Sequence, residues 1–249
     1  MSQKTGAGFW LWKPAIILDA LENCEDGTVL LYTDAGMRMV ADPSPMLAHA
    51  LDFPIMVFEH IFPIPSGPLT YPMHQWTKRD CFILLGADRP EVHNAQQPWA
   101  GVQIYRNGPA ARAFVRELAM AGTDARILTD MANTQGLDNL PGFKHHRHDQ
   151  SILGIIAYGH RLPRFPDPTQ YGHKGPRPAL SADLDGMARP AASYGQIFDL
   201  HRRRDRQNIL ATARRWLSPI RPGQWQECEA DLPLEQDHAR MELVVTAKN

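Results

Sequence analysis

The sequence predicts an α/β fold, an α/β/α sandwich with a mostly parallel central sheet. Three observations lead to this prediction: a continuous apolar run at 28–33, strand-like segments that alternate with amphipathic helical patterns, and ample apolar material for a core. The chain has 249 residues, of which 43% are hydrophobic and 21% are charged. A chain of this length and composition is expected to fold around one main domain.

The individual elements follow from local patterns. Pro14 opens an apolar stripe typical of a helix, and the run at 28–33 has the length and β-branched content of a buried strand. The predicted helices cover 14–24, 109–121, 149–158 and about 197–217. The predicted strands cover 28–33, 102–105 and 127–129, while 81–85 fits either type of element.

Charge and cysteine usage exclude several classes of protein. The formal net charge is -1, so no overall positive field attracts nucleic acid. Three widely separated cysteines indicate reduced thiols in a cytosolic compartment. No apolar stretch reaches the roughly 18 residues of a transmembrane helix. We therefore expect a cytoplasmic protein, with peripheral contact at the inner membrane face as a weaker expectation from the basic segment at 202–215.

Asp34 is the first candidate site residue. It follows the predicted strand at 28–33, and ligands of α/β proteins bind beyond the carboxyl ends of strands. A carboxylate at this position can bind Mg²⁺ or Mn²⁺, which then bridges phosphate oxygens. An Asx-type turn in which Gly36 relieves backbone strain is the alternative interpretation.

A histidine-rich segment before the predicted helix at 149–158 is the second candidate. His146, Arg147 and His148 suit a diphosphate-bearing ligand, and Asp149 lies where amide N–H groups and the helix dipole favour anions. A polar loop with a helix cap is one alternative. A zinc site is another, although the segment lacks a second ligand cluster at the right spacing.

Two further segments carry side chains suited to sugars or phosphates. The first combines an aromatic face with fixed charges and consists of Trp76, Lys78, Arg79 and Asp80. The second is a glycine-containing loop with His173 and Lys174, where the backbone can approach a phosphate closely. A solvated loop anchored by a buried tryptophan and a plain surface loop are the respective alternatives.

Taken together, these segments resemble a family of bacterial GT-A glycosyltransferases found with surface-polysaccharide synthesis. Five motifs carry the resemblance in chain order: Gly6-Ala7-Gly8-Phe9-Trp10-Leu11-Trp12-Lys13-Pro14, Tyr32 to Gly36, Trp76 to Asp80, Gln97 to Gly101, and His146 to Ser151. They cover about residues 6–157 and are more specific together than any one alone. Their order is also distantly similar to that of the glycogenin-like retaining transferases.

The resemblance implies a GT-A fold and transfer of a sugar from a nucleotide-diphosphate-sugar to a glycan or lipid-linked acceptor, with retention of configuration. By analogy with the glycogenin-like transferases, Asp34 is expected to bind Mn²⁺ or Mg²⁺, although Gly36 replaces the second carboxylate of their Asp-x-Asp. The same analogy implies roles for other residues: Ala100 and Gly101 at the donor sugar, Asp149 and Gln150 at the reacting carbon, and His173 and Lys174 at the diphosphate. Gln97, which belongs to the same element as Ala100 and Gly101, is a further candidate for substrate binding.

The resemblance also sets the expected domain organisation. Family members carry a further segment before the Gly-x-Gly opening, so we expect this chain to lack part of the N-terminal nucleotide-binding unit. Either later segments rebuild the nucleotide pocket or donor binding is impaired. Residues 218–249 have no family counterpart, so the glycosyltransferase-like domain is predicted at 1–217 and a C-terminal extension at 218–249.

Two functions from other classes remain open. The chain could be a catalytically weak module that binds a nucleotide-sugar or a carbohydrate, as the single carboxylate at Asp34 suggests. It could instead be a metal-dependent hydrolase that uses the cluster from His145 to Asp149. Donor binding without turnover would favour the module, and donor hydrolysis without an acceptor would favour the hydrolase.

Overall fold

A five-stranded sheet forms the centre of the structure, a computed structural model that describes residues 6–60, 62–64, 67–69, 71–172, 185–200 and 241–245. In spatial order its strands are β7 (Arg164–Phe165), β3 (Ile55–Glu59), β6 (Pro98–Arg106), β1 (Val29–Thr33) and β9 (Met241–Val245). Two small ribbons accompany it, formed by β2 (Met37–Met39) with β8 (Phe198–Leu200) and by β4 (Phe62–Ile64) with β5 (Gly67–Leu69). Strand β9 brings part of the predicted C-terminal extension into the sheet.

The sheet is mixed, so the α/β class is confirmed but the predicted mostly parallel sheet is wrong. Strand β6 runs antiparallel to both β1 and β3, whereas β9 and β7 pair in parallel with them. Pro98 at the start of β6 pairs with Glu59 at the end of β3. The connection therefore returns to the edge at which β3 ends, and alternating helix and strand patterns do not reveal at which edge a connection finishes.

Helices flank the sheet, and three predicted helices are confirmed at α2, α7 and α9. The described helices are α1 (Gly6–Phe9), α2 (Trp12–Glu22), α3 (Ser44–Leu47), α4 (Met73–Trp76), α5 (Arg79–Leu84), α6 (Pro90–Asn94), α7 (Pro109–Gly122), α8 (Ala125–Leu128) and α9 (Asp149–Gly159), with a 3₁₀ turn at Ala48–Leu51. None of these helices is long and apolar enough to cross a membrane.

Three short segments show where local pattern was insufficient. The ambiguous segment at 81–85 lies mostly in α5. The strand predicted at 127–129 is wrong, because the Asp124 side chain accepts a hydrogen bond from the Arg126 N–H and caps α8 there. The helix predicted from 197 is also wrong at its start, which forms β8, and its remainder lies outside the described residues.

Alternating side chains of the strands divide the core into two layers. In β1, Leu30 and Tyr32 face the layer that contains Ile17 of α2 and the apolar residues of α7 and α9. Leu31 faces the other layer, which contains Phe198 and the residues around α3. A sheet buried on both faces is held rigidly, so the loops at its edges have fixed positions.

One edge of this sheet gathers several of the predicted site residues. The carboxyl ends of β1, β3 and β7 meet there with the start of β6, because β6 runs in the opposite direction. Asp34 and His60 directly follow β1 and β3. The Asp34 N–H donates to the Gly101 carbonyl oxygen at 2.9 Å, which ties the end of β1 to the start of β6. This edge is where ligands of open α/β sheets bind.

Candidate functional site

The candidate site is centred on the ammonium group of Lys13, which lies among three oxygen atoms from three elements. Lys13 Nζ is 2.6 Å from Asp149 Oδ2, 3.3 Å from the Ala100 carbonyl oxygen and 3.5 Å from Asp34 Oδ1. These oxygens belong to the start of α9, the start of β6 and the turn after β1. Three segments that the sequence assigned to one site therefore meet at a residue to which it assigned no role.

The position of Lys13 follows from the periodicity of α2. Lys13, Ile17 and Leu21 are spaced four residues apart, so they share one face of the helix, and all three are buried. Lys13 is only 4% exposed. A lysine on the apolar face of a helix is rarely buried without an ionic partner. This signal could have identified Lys13 as a buried charge from the sequence, although it does not indicate which carboxylates are its partners.

Charge interactions determine the protonation of this cluster. Burial alone would lower the pKa of Lys13, but the attraction of Asp149, Asp34 and Tyr32 outweighs burial and raises that pKa above its ordinary value. Burial also raises the pKa of Asp149, while Lys13 opposes this shift. The ammonium form of Lys13 is thus strongly favoured, and its charge compensates carboxylates that would otherwise be expensive to bury.

The two carboxylates of the cluster differ in how far they reach solvent. The side chain of Asp34 is 34% exposed, whereas that of Asp149 is 15% exposed. The Tyr32 hydroxyl donates to Asp34 Oδ1 at 2.9 Å, and the Tyr32 ring centroid lies 5.3 Å from Lys13 Nζ. A cavity of about 20 Å³ also borders Lys13 and Asp149, with room for about one water molecule. This cavity is therefore too small for a sugar ring.

Gln150, the neighbour of Asp149, is held by partners at the same edge of the sheet. Its Nε2 atom lies 2.9 Å from the Pro98 carbonyl oxygen and 3.0 Å from His60 Nδ1. The carbonyl can only accept, so the amide nitrogen faces it and its second N–H group donates to the imidazole. The His60 ring in turn stacks on Tyr71 with ring centroids 4.3 Å apart. Sequence reasoning missed His60, although the residue directly follows a buried apolar strand.

Three residues with positive φ lie together where the end of α1 contacts the start of α9. Phe9, Trp10 and His148 have φ values of 58°, 60° and 49°, and they are three of the four non-glycine residues with positive φ in the described chain. The His148 ring packs against Phe9 and Trp10, with centroids 4.6 Å and 5.9 Å apart. Each such conformation costs about 1–3 kcal/mol and persists only when its surroundings enforce it. The Phe9-Trp10 loop and the start of α9 therefore form one rigid unit beside Lys13.

Two of the predicted substrate-binding histidines, His146 and His148, contact backbone carbonyls of α8. His146 Nδ1 accepts from the Lys78 N–H at 3.3 Å, and its Nε2 donates to the Ile127 carbonyl oxygen at 2.8 Å. Burial, aided by His148, lowers the pKa of His146 to about 3, so this imidazole is neutral near pH 7. His148 Nδ1 lies 3.0 Å from the Leu128 carbonyl oxygen. Both side chains thus fasten α8 to the start of α9.

The charged residues after Trp76 hold the loop that follows α8. Lys78 Nζ donates to the carbonyl oxygens of Thr129 and Met131 at 3.2 Å and 2.7 Å. The carboxylate of Asp80 accepts from the Thr134 and Gln135 N–H groups, among other donors. Arg79 makes two contacts with Asp88, at 2.8 Å and 2.9 Å. These three side chains have protein partners, and substrate binding by them stays a prediction.

Trp76 and Arg147 contact each other. The Arg147 guanidinium carbon lies 4.6 Å from the centroid of the Trp76 ring, and Lys144 Nζ lies 4.8 Å from it. His145 meets the same ring edge-on at 4.8 Å. A sugar that stacked on Trp76 would have to compete with these cations for the ring.

The remaining predicted residues lie in β6, close to its start, or outside the described residues. Gln97 Nε2 lies 3.5 Å from Ser151 Oγ, while its Oε1 is buried without a hydrogen-bond partner among the described residues. A Cβ atom on Gly101 would come within 2.7 Å of the Trp99 ring, so this glycine is required by packing. His173 and Lys174 are not among the described residues.

In this arrangement Lys13 opposes binding of the predicted divalent metal at Asp34, since its ammonium group contacts both Asp34 and Asp149. Lys13 Nζ already lies between the carboxylates, and its positive charge would repel Mn²⁺ or Mg²⁺. Within the described part of the chain, no group of three or more His, Cys, Asp or Glu side chains could hold a metal ion. Metal binding by Asp34 stays a prediction that a titration can decide.

The arrangement offers a carboxylate accessible to solvent, a second carboxylate at a helix N-terminus, and a buried cation that links them. Such a cluster can orient a polar ligand and stabilise charge that develops close to the edge of the sheet. In comparisons with protein-family models, curated proteins and solved structures, no match to this chain was found.

Proposed function

We propose that the protein is a glycosyltransferase of the GT-A type that transfers a sugar from a nucleotide-diphosphate-sugar to a glycan or lipid-linked acceptor. One observation carries the proposal. Asp34, Ala100 and Asp149 come from three separate motifs of the resemblance, and all three contact the ammonium group of Lys13. If the three motifs served separate structural roles, we would not expect all of them to contact the same buried ammonium group.

The proposed chemistry uses the start of α9 as its rigid element. The carboxylate of Asp149 and the first amide groups of α9 are close to the edge at which the donor sugar would lie, and Gln150 is fixed by Pro98 and His60. Groups held in advance at the place where charge develops lower the barrier most effectively. Retention of configuration, and action at the cytoplasmic face of a membrane on a lipid-linked acceptor, extend this proposal from the family resemblance.

A thermal-shift panel tests the proposal most directly. The full chain is mixed with UDP-, GDP-, CMP- and dTDP-sugars, each with and without Mn²⁺, and a donor that raises the melting temperature is then incubated with and without candidate acceptors. We expect one nucleotide class to stabilise the protein and its sugar to be transferred. Asp26→Asn, which removes a carboxylate from the ion pair with Arg112 before β1, at the end of that strand opposite to Asp34, serves as the control for Asp149→Asn. Failure of every donor to bind would contradict the proposal.

A binding module without turnover is the second candidate. It is favoured by the ion pair between Lys13 and Asp149, because a carboxylate that is neutralised at 2.6 Å is less able to act as a nucleophile or base. The same panel distinguishes the two functions, since a module would be stabilised by a donor but would release neither nucleotide nor sugar. A hydrolase would release sugar without an acceptor.

A further inference from the structure

The oxygens around Lys13 Nζ resemble the partial ligand set of a hard metal ion. Two are carboxylate oxygens, from Asp34 and Asp149, and the third is the Ala100 carbonyl oxygen. Carboxylate and carbonyl oxygens are the groups that Mn²⁺ and Mg²⁺ prefer in proteins. Lys13 therefore lies where three segments of the chain together provide a site for a cation.

We propose that the Lys13 ammonium takes the place of the divalent cation in this site, so that the proposed glycosyl transfer requires no metal; this inference rests on the proposed function. In this role Lys13 is a positioning residue. It fixes Asp149 and Asp34 at a defined separation, and it supplies the positive charge that a metal would otherwise contribute.

The charges of the cluster support this inference. The two carboxylates carry two negative charges, and Lys13 compensates one of them. Adding a divalent ion would place it against the ammonium, whose separation from Asp149 Oδ2 is only 2.6 Å. Mn²⁺ and Mg²⁺ bind oxygen at about 2.0–2.2 Å and require several ligands around them. The ion would therefore have to displace Lys13 from between the carboxylates.

The packing around Lys13 leaves little space for a displaced ammonium among the described residues. Its stem is buried on the face of α2 that also carries Ile17 and Leu21, and Pro14 follows it directly in the chain. The bordering cavity of about 20 Å³ holds about one water molecule. An ammonium displaced into that space would lose its contact with Asp34, which does not line the cavity, and this loss is unfavourable for a buried charge.

The test measures Mn²⁺ binding directly by the electron paramagnetic resonance signal of free Mn²⁺, and it requires no activity. The full-length wild-type protein is titrated beside Asp34→Asn, Lys13→Met and Lys78→Met. Lys78→Met is the matched control, because it also removes a buried ammonium but one held by two backbone carbonyls. Circular dichroism establishes that each variant is folded at the temperature of the titration.

We expect the wild-type protein and Asp34→Asn to show the same Mn²⁺ binding, because Asp34 of the wild type holds no metal ion. Lys13→Met should bind Mn²⁺ at least about tenfold more tightly than the wild type, since it vacates the three oxygens, and Lys78→Met should not. Mn²⁺ binding by the wild type that is lost in Asp34→Asn would overturn the inference. A folded Lys13→Met that gains no affinity would overturn it as well. If Lys13→Met does not fold, the wild-type and Asp34→Asn titrations still decide the outcome.

A second measurement separates this inference from the proposed function. If a donor is turned over, EDTA should leave the rate unchanged, and Lys13→Arg should retain more activity than Lys13→Met because it keeps the charge. Loss of turnover in EDTA, restored by Mn²⁺, would refute the inference while supporting the proposed transfer. If no donor binds at all, the proposed function fails, but the Mn²⁺ titrations still test whether Lys13 occupies a cation site.

Discussion

Two buried lysines occupy contrasting regions of this protein. Lys13 and Lys78 are 4% and 3% exposed, respectively, and both belong to motifs of the family resemblance. Lys13 contacts two carboxylates at the sheet edge, and these raise its pKa against the effect of burial. Lys78 contacts the backbone carbonyls of Thr129 and Met131, and burial lowers its pKa.

The difference shows that the partners of a buried charge, more than its burial, indicate its role. Carbonyl oxygens offer only dipoles. The hydrogen bonds of Lys78 to the loop after α8 therefore offset only part of the free energy that is needed to bury its charge. Carboxylates offer full charges, so Lys13 forms an ionic cluster whose members depend on one another. We infer that the Lys13 region is organised for interaction with a ligand and the Lys78 region for the order of the chain.

The largest expected effect comes from removing the charge of Lys13. Lys13→Met leaves Asp149 buried without its cation, and breaking a buried ion pair in this way costs about 3–5 kcal/mol of the free energy of unfolding. Urea denaturation measures this loss. The double variant Lys13→Met with Asp149→Asn should recover more than half of it, because the carboxylate that remains, Asp34, is 34% exposed and can be solvated. A double variant as unstable as the single one would show that the charges are not coupled.

The second-largest effect is expected for the turnover of Asp149→Asn, which can be measured if the proposed transfer occurs. Asp149→Asn keeps the shape of the side chain but removes its charge at the start of α9. Turnover should fall by at least about 10²-fold, or about 2.7 kcal/mol of transition-state stabilisation, with donor affinity changed much less. Steady-state kinetics beside the control Asp26→Asn provide the measurement. A rise in the Michaelis constant at unchanged turnover would assign Asp149 to binding instead.

The third prediction concerns the pH dependence of stability in the Lys78 region, where the Lys78 N–H donates to His146. Burial lowers the pKa of His146 to about 3 in the folded protein, whereas an unfolded histidine has a pKa of about 6.5. The unfolded state therefore binds more protons between these values, and the free energy of unfolding falls as the pH falls below about 6.5. By pH 5 the loss from this group is about 2 kcal/mol.

Urea denaturation between pH 7.5 and pH 5 measures this dependence. His146→Gln should be less stable than the wild type at pH 7.5 but should show a shallower decline with acid. The exposed ion-pair partner His160 provides the control, since His160→Gln should retain the decline of the wild type. Equal slopes in His146→Gln and the wild type would mean that another group causes the acid sensitivity.

The smallest effect is expected for Lys78→Met. The variant loses two hydrogen bonds to carbonyl oxygens, but it also removes a charge that burial disfavours. The net loss in the free energy of unfolding should be about 1 kcal/mol, well below that of Lys13→Met. Hydrogen exchange should locate the change in the loop after α8. A loss as large as that of Lys13→Met would remove the distinction between the two lysines.

The elements with long and regular patterns could be predicted from the sequence. The apolar run before Asp34 indicated β1, and the stripes at 109–121 and 149–158 indicated α7 and α9. The sequence also singled out Asp34, Ala100 and Asp149 through their motifs. These inferences depend on local periodicity and on the order of short segments, and both of these can be read along the chain.

The direction of β6 and the partners of the buried charges could be read only from the tertiary structure. No local pattern states at which edge of the sheet the chain returns after β3, so the pairing of Pro98 with Glu59 could not be foreseen. The partners of Lys13 lie at Asp34, Ala100 and Asp149, far from it in sequence. Electrostatic interactions depend on distance in space, and in a folded chain that distance is set by how the helices pack on the sheet.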